Sequence, residues 1–341
     1  VHSIQKKYYS SFIALTLLLF ALIFINISSG SLTIPFKEIW NALFSTTTTN
    51  ENYQYIITNY RLPKSFTSIL TGIGLGISGL LMQTYFRNPL AGPFVLGISS
   101  GASLGVALLI MGGSFLGILP YINGLSIPIA SSLGAFLVLS IVMITARNIR
   151  NTMSILIIGL MFGSFTSAII SILSYFSSAS ELQQYIFWSF GSLSNLQWNQ
   201  IYLLGFVITI SCISLFTIIK PLDALLLGEN YAKSLGISLK KTQTVVFIIT
   251  SLLTGSITAF VGPIAFIGLA IPHITKLVFK TSNHKTLLPA VAIIGAIVML
   301  VCDTLSHISL GNKNLPINAI TSLFGAPVVI WLLVSRSKKT T

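Results

Sequence analysis

Apolar residues run through this chain in long blocks, and the few charged positions mark where the blocks end. Residues 8–36, 65–86, 88–146, 151–180, 182–219, 242–275 and 314–335 contain no Lys, Arg, Asp or Glu. A bilayer core of about 30 Å takes roughly 20 helical residues at ~1.5 Å each. The longest block, 88–146, therefore holds two spans, with a Gly/Pro/Asn-containing loop at Gly112–Ser126 between them. The pattern predicts helices over roughly 10–29, 66–84, 94–112, 127–146, 153–176, 200–219, 243–262, 264–280, 286–306 and 317–335, about ten in all. Pro263 and Pro272 are expected to break the eighth. Because the runs are continuous and not alternating, helices are favoured over a barrel. The expected fold is an all-α polytopic membrane protein with a single transmembrane domain over 1–341.

Composition agrees and adds a direction. Charged residues make up 7% and hydrophobic ones 53%, against a usual charged share of about 25% in soluble domains. With the N-terminus placed inside, 15 of the 19 Lys and Arg fall in inner segments, and only Lys37, Arg61, Lys64 and Lys313 fall outside. That bias predicts both termini in the cytoplasm. The net charge of +13 thus records orientation and not a nucleic-acid partner. Lys6 and Lys7 precede an apolar run too long for a signal peptide and without a small-residue cleavage site, which predicts a first membrane helix. Cys212 and Cys302 fall in separate spans and read as packing residues.

Chemistry is sparse. The four histidines are scattered without metal-ligand spacing, and no Gly-x-x-x-x-Gly-Lys-Ser/Thr phosphate loop occurs. No catalytic residue, metal or cofactor is therefore expected, and the chain is not read as an enzyme. Ion-coupled transporters bury carboxylates at mid-membrane, but the one acidic residue within a span is Asp303, near the outer end of the ninth. His307, four residues on, shares its helix face, so a local ion pair is available. Gly72-x-x-x-Gly76, Gly97-x-x-x-Gly101-x-x-x-Gly105 and Gly159-x-x-x-Gly163 predict close helix packing.

The segment 220–241 stands apart, holding six of the 25 charged residues. Pro221 suits the first turn of a short helix and Gly228 ends it. A second short helix then carries Glu229 at its positive start and Lys233 four residues on, and Gly236 provides a left-handed stop. Two short helices at the membrane surface make either a knob for another protein or an amphipathic turn resting on headgroups.

Several ordered stretches resemble the FecCD-type permease subunits of bacterial ABC importers for iron-siderophores, haem and vitamin B12. They are Arg61-Leu62-Pro63-Lys64; Gln83 with Arg87-Asn88-Pro89-Leu90-Ala91-Gly92-Pro93; and Leu96-Gly97-Ile98-Ser99-Ser100-Gly101-Ala102. Further on come Leu227-Gly228-Glu229 with Ala232 and Gly236; Gly268-Leu269-Ala270-Ile271-Pro272-His273; Leu287-Leu288-Pro289; Asp303; Leu315-Pro316; and Gly325-Ala326-Pro327. The likeness runs from about residue 30 to the C-terminus.

That resemblance implies a multi-pass protein of the bacterial plasma (inner) membrane, working as a homodimer or heterodimer of permeases. It implies two kinds of partner: an ATP-binding ABC subunit, which alone binds ATP, and an extracytoplasmic substrate-binding protein. ATPase coupling falls to Asp223, Gly228, Glu229, Ala232 and Gly236. Docking of the binding protein falls to Arg61, Lys64 and His307, where ordinary headgroup anchoring is the other reading. The cytoplasmic gate and pathway fall to Gln83, Asn88, Pro89, Leu90, Asn151 and Thr152, although Asn88–Leu90 also reads as a simple re-entry turn. An ion-coupled secondary transporter or channel needing no ATPase is the alternative. Two positions depart from the family's pattern: His307 stands where Arg is usual, and Asn314 where Glu is common. Histidine titrates near neutrality, so docking through His307 is expected to vary with pH. If His307→Arg leaves binding-protein affinity unchanged between about pH 6 and 8, that expectation is wrong.

Overall fold

In lipid the backbone has no water to bond, so a spanning segment must satisfy its own N–H and C=O groups. Among the described residues of the computed structural model, every regular element is accordingly helical. Those residues are 2–30, 32, 34–44, 51–113, 125–146, 149, 152–307 and 315–337. The predicted loop at Gly112–Ser126 lies largely outside them, as do Asn151 and Asn314.

In chain order the helices are α1 (His2–Ser28), α2 (Phe36–Phe44), α3 (Glu51–Ile56), α4 (Leu62–Tyr85), α5 (Ile98–Ile110), α6 (Ser126–Ala146), α7 (Thr152–Phe176) and α8 (Ala179–Ser189). They continue with α9 (Trp198–Leu215), α10 (Ile219–Leu226), α11 (Glu229–Ser234), α12 (Leu239–Val261), α13 (Ile267–Phe279), α14 (His284–Ser306) and α15 (Ile317–Ser337). Seven stretches are long and apolar enough to cross a membrane: Tyr8–Ser28, Glu51–Tyr85, Ser126–Ala146, Met153–Phe176, Trp198–Leu215, Leu239–Val261 and His284–Ser306. Ile98–Ile110, Ile267–Phe279 and Ile317–Trp331 are shorter apolar helices. Each predicted span falls on one of these ten stretches.

Where boundaries moved, backbone chemistry moved them. The second span starts earlier than expected because α3 joins α4 through a π-helical turn, Ile57–Arg61. Such a turn frees carbonyls, and the Trp198 indole donates to that of Thr58 at 3.0 Å. The third span is shortened by a 3-10 turn at Pro93–Leu96 and by Gly97 at φ 73°. Pro263 and Pro272 do not act alike. Gly262 (φ 86°) and Phe266 (φ 64°) flank an irregular stretch around Pro263, whereas Pro272 sits buried inside α13 without ending it. The short helices α2, α3 and α8 were not predicted. Ser178 and Glu181 form a complete capping box at the start of α8.

The chain divides into two compact units, 1–77 with 192–205 and 265–341, and 78–191 with 206–264. Glycine builds the closest contacts within each. In the first unit Gly72 of α4 faces Gly295 of α14 so tightly that a Cβ on either would overlap the other's carbonyl. In the second, Gly101 and Gly134 stand in the same relation between α5 and α6, and a Cβ on Gly105 would overlap the carbonyl of Ala130. Gly159 of α7 likewise packs on the carbonyl of Val95. The predicted glycine spacings thus act as contact faces. Gly163 is looser, with only the Ser100 hydroxyl at 3.3 Å from its would-be Cβ.

Alanine at Gly72 or Gly105 should lower stability by about 1–3 kcal/mol, the usual cost of overpacking. Gly205→Ala, whose Cβ would meet Leu70 at 3.8 Å, should be near neutral. Thermal unfolding of the purified variants in detergent checks the contrast.

Candidate functional site

The charged segment folds into two short helices, α10 and α11, packed on the end of α4. Ala224, Leu225 and Ala232 are buried together against Tyr85, Ile237 and Leu239. Gly228, at φ 120° and ψ 154°, makes the corner between the helices, a conformation that a side chain would strain. At the far end Gly236 takes φ 78°. Its N–H bonds Lys233 O at 2.9 Å, and the Ile237 N–H bonds Ala232 O at 3.1 Å. This pair of bonds is a Schellman stop. Pro221 is the third residue of α10, because that helix starts two residues earlier, at Ile219.

Glu229 occupies the first turn of α11, where the helix dipole favours an anion. Its carboxylate also meets Arg87 at 3.6 Å. Arg87 lies just beyond α4 with a left-handed backbone, φ 47°. The pair is half-exposed, so it adds orientation more than stability. Immediately after it, Asn88 accepts from the Leu90 N–H at 2.9 Å through its side chain and from the Ala91 N–H at 3.1 Å through its carbonyl. Asn88-Pro89-Leu90 is therefore a side-chain-closed turn next to the Arg87 clip. Gln83 is buried one turn back in α4. Asp223 is half-buried on α10, while Leu226, Leu227, Tyr231 and Leu235 are exposed around the knob. Thr152 opens α7.

Arg61, Lys64 and His307 come together with Asp303, but not on an open surface. Lys64 Nζ lies 3.1 Å from Asp303 Oδ2, and His307 Nε2 lies 3.6 Å from Oδ1. Asn26 of α1 donates to the same carboxylate at 2.7 Å and to Thr304 Oγ1 at 3.0 Å. Its own carbonyl accepts from Ser65 Oγ at 2.5 Å. Arg61 turns the other way, donating to the carbonyls of Ile27, Ser28 and Leu32. It caps the C-terminus of α1, where a cation suits both the dipole and the orphan carbonyls.

Arg61 and Lys64 are only 7% and 6% exposed. The reason is local: a lone carboxylate in an apolar interior requires a cation, and Lys64 is the one within reach. His307 is the least enclosed of the three residues, its side chain 12% exposed.

The sequence reading paired Asp303 with His307 but missed Lys64 and Asn26. Asn26 is the only amide in the block 8–36, and that isolation was the available signal. Arg87, quoted within a family-like stretch and sorted with the inner cations but given no role, is the other omission. Among the described residues no group of three or more His, Cys, Asp or Glu could hold a metal.

Glycine-packed helices and mixed long and short apolar segments define a multi-pass membrane protein. Comparison with known proteins agrees. The model of the FecCD transport family matches residues 17–335. The hemin transport system permease protein HmuU of Yersinia pestis is 31% identical over 337 residues, 98% of each chain. The vitamin B12 import system permease protein BtuC of Klebsiella pneumoniae is 34% identical, covering 98% of this chain and 96% of its own. A solved inward-facing structure of a metal-chelate type ABC transporter superposes with a TM-score of 0.82 at 28% identity, covering 95% of this chain and 98% of that one. The chain belongs to the FecCD transport family.

Removing one partner of the buried pair should be costly. Lys64→Met or Asp303→Leu should each lose about 3–5 kcal/mol, whereas the double change Lys64→Met/Asp303→Leu should recover much of that loss. Unfolding midpoints of the three variants measure the coupling; additive losses would show that the pair is not an energetic unit.

Proposed function

We propose that this chain is the permease subunit of an ATP-driven importer for an iron-siderophore or a related metal chelate such as haem or cobalamin. In this reading it has ten membrane-crossing helices in the bacterial plasma membrane, with both termini in the cytoplasm. Two permease chains enclose the pathway, an ATP-binding subunit sits on each knob, and a substrate-binding protein docks outside. The supporting names are those of the relatives, which transport hemin and vitamin B12.

The observation that carries the reading is the seating of the knob. Ala232 and Leu225 press on Tyr85, Glu229 is clipped to Arg87, and Asn88-Pro89-Leu90 follows directly. A displacement of the knob by the ATPase would reach the end of α4 through packed side chains, without a flexible linker. The turn after Arg87 would move with it. Asn88, Pro89 and Leu90, with Gln83 and the Asn151–Thr152 segment, are thereby proposed as the inner gate. Asp223, Gly228, Glu229, Ala232 and Gly236 shape the knob that the ATPase grips, and exposed Leu227, Tyr231 and Leu235 supply its apolar contact.

Outside, Arg61 and Lys64 are proposed to serve docking from beneath. They hold the end of α1 and the end of α14 in place, and His307 stands nearest the surface. The chain itself carries out no bond chemistry, and the energy comes from the partner.

Co-expression with the cognate ATPase tests the reading. Gly228→Trp and Glu229→Lys should abolish co-purification of the ATPase while the permease still elutes as a folded species. Reconstituted vesicles should take up chelate only with ATP and the binding protein. Uptake driven by an ion gradient with the permease alone would establish the secondary-transporter alternative instead.

A further inference from the structure

The nine-residue helix α2 divides its surface into three sectors. Ile39 is fully buried and Leu43 half-buried, and both join a cluster with Ile27, Ile34 and Ile57. Phe36, Trp40 and Phe44 recur every four residues on the neighbouring flank and are 58%, 50% and 66% exposed. Lys37, Glu38 and Asn41 complete the remaining side, with Lys37 exposed and the other two half-buried.

The three aromatic rings are not scattered. Phe36 and Trp40 have centroids 6.4 Å apart, and Trp40 and Phe44 4.6 Å. Phe36 in turn lies 5.3 Å from Phe24 of α1. Four rings therefore run without a break from the end of α1 along the flank of α2. The apolar window of α1 is only 11% buried within the protein, with Ile13, Leu17, Phe20 and Ile25 exposed. In a multi-pass membrane protein that surface of α1 faces acyl chains, and the aromatic ladder continues it.

We propose that α2 is an interfacial helix bound to the phospholipid surface, with Phe36, Trp40 and Phe44 sunk to the headgroup–acyl boundary. Three observations select lipid as the occupant. The ladder is continuous with the exposed face of α1. Trp and Phe are the side chains that partition to this depth, roughly 5–10 Å below the headgroups. Lys37 borders the ladder on the side away from the protein, where its stem can lie along the apolar layer and its amine can reach lipid phosphate. Seated this way, α2 fixes where α1 leaves the bilayer and holds the polypeptide around Arg61 at a set depth.

The test uses the full-length protein in phospholipid nanodiscs. Trp40 fluorescence is isolated as the difference between the parent protein and Trp40→Phe, since three other tryptophans are present. With bromines high on the acyl chains this component should lose most of its intensity. With bromines near the chain ends it should lose less, and aqueous iodide should barely affect it. Phe44→Trp in the Trp40→Phe background should restore a component with the same quenching order. Strong iodide quenching without bromolipid quenching would overturn the proposal in favour of a water-facing surface for a soluble protein. Protection from both quenchers would overturn it in favour of a second copy of this chain.

Discussion

A polar atom carried into the interior of this protein has no water to fall back on, and most of the architecture follows from that. Backbone groups close on themselves as helices. Several hydroxyls fold back onto their own helix, as when Thr67 bonds the Pro63 carbonyl at 2.8 Å and Thr275 that of Ile271 at 2.8 Å. Where the helix is irregular, a side chain supplies what the ladder lacks: Trp198 at Thr58, Arg61 at the end of α1, Asn318 at the Ala265 N–H. Asp303 shows the rule at its most demanding. One carboxylate gathers Lys64, Asn26 and His307 from three helical segments, and so joins α1, α4 and α14 at one point.

Periodicity and charge made the long helices legible, because a run without charges and a cluster of charges are both properties of a single segment. The same holds for the knob, whose Gly228 and Gly236 advertise their backbone needs locally. Partners across the fold were less visible. Lys64 and Asp303 are far apart in sequence, and orientation statistics read Lys64 as a surface cation. Arg61 was misplaced for the same reason: its acceptors are backbone carbonyls, which every sequence contains and none singles out. The capping box of α8 and the aromatic spacing of α2 were present in the residues. Short amphipathic helices fall below the roughly 20-residue length that marks a membrane span, so the pattern of apolar runs does not reveal them.

The knob and the Asp303 cluster have different physics. The knob is built from strained or special backbone, a small buried contact and one half-exposed ion pair, so its shape is specified while its attachments are weak. The Asp303 cluster is the reverse: largely enclosed, charge-paired and expensive to disturb. A part that must be gripped and moved by another protein suits the first design, and a part that must keep its form during movement suits the second.

The glycine crossings carry a kinematic consequence. Between α4 and α14, and between α5 and α6, backbone rests on backbone, with no side chain to deform. Sliding either pair by one residue would drive a Cβ into a carbonyl, so each pair has a single register and no shear. Such pairs behave as plates. Any movement of these helices must then carry both members of a pair together.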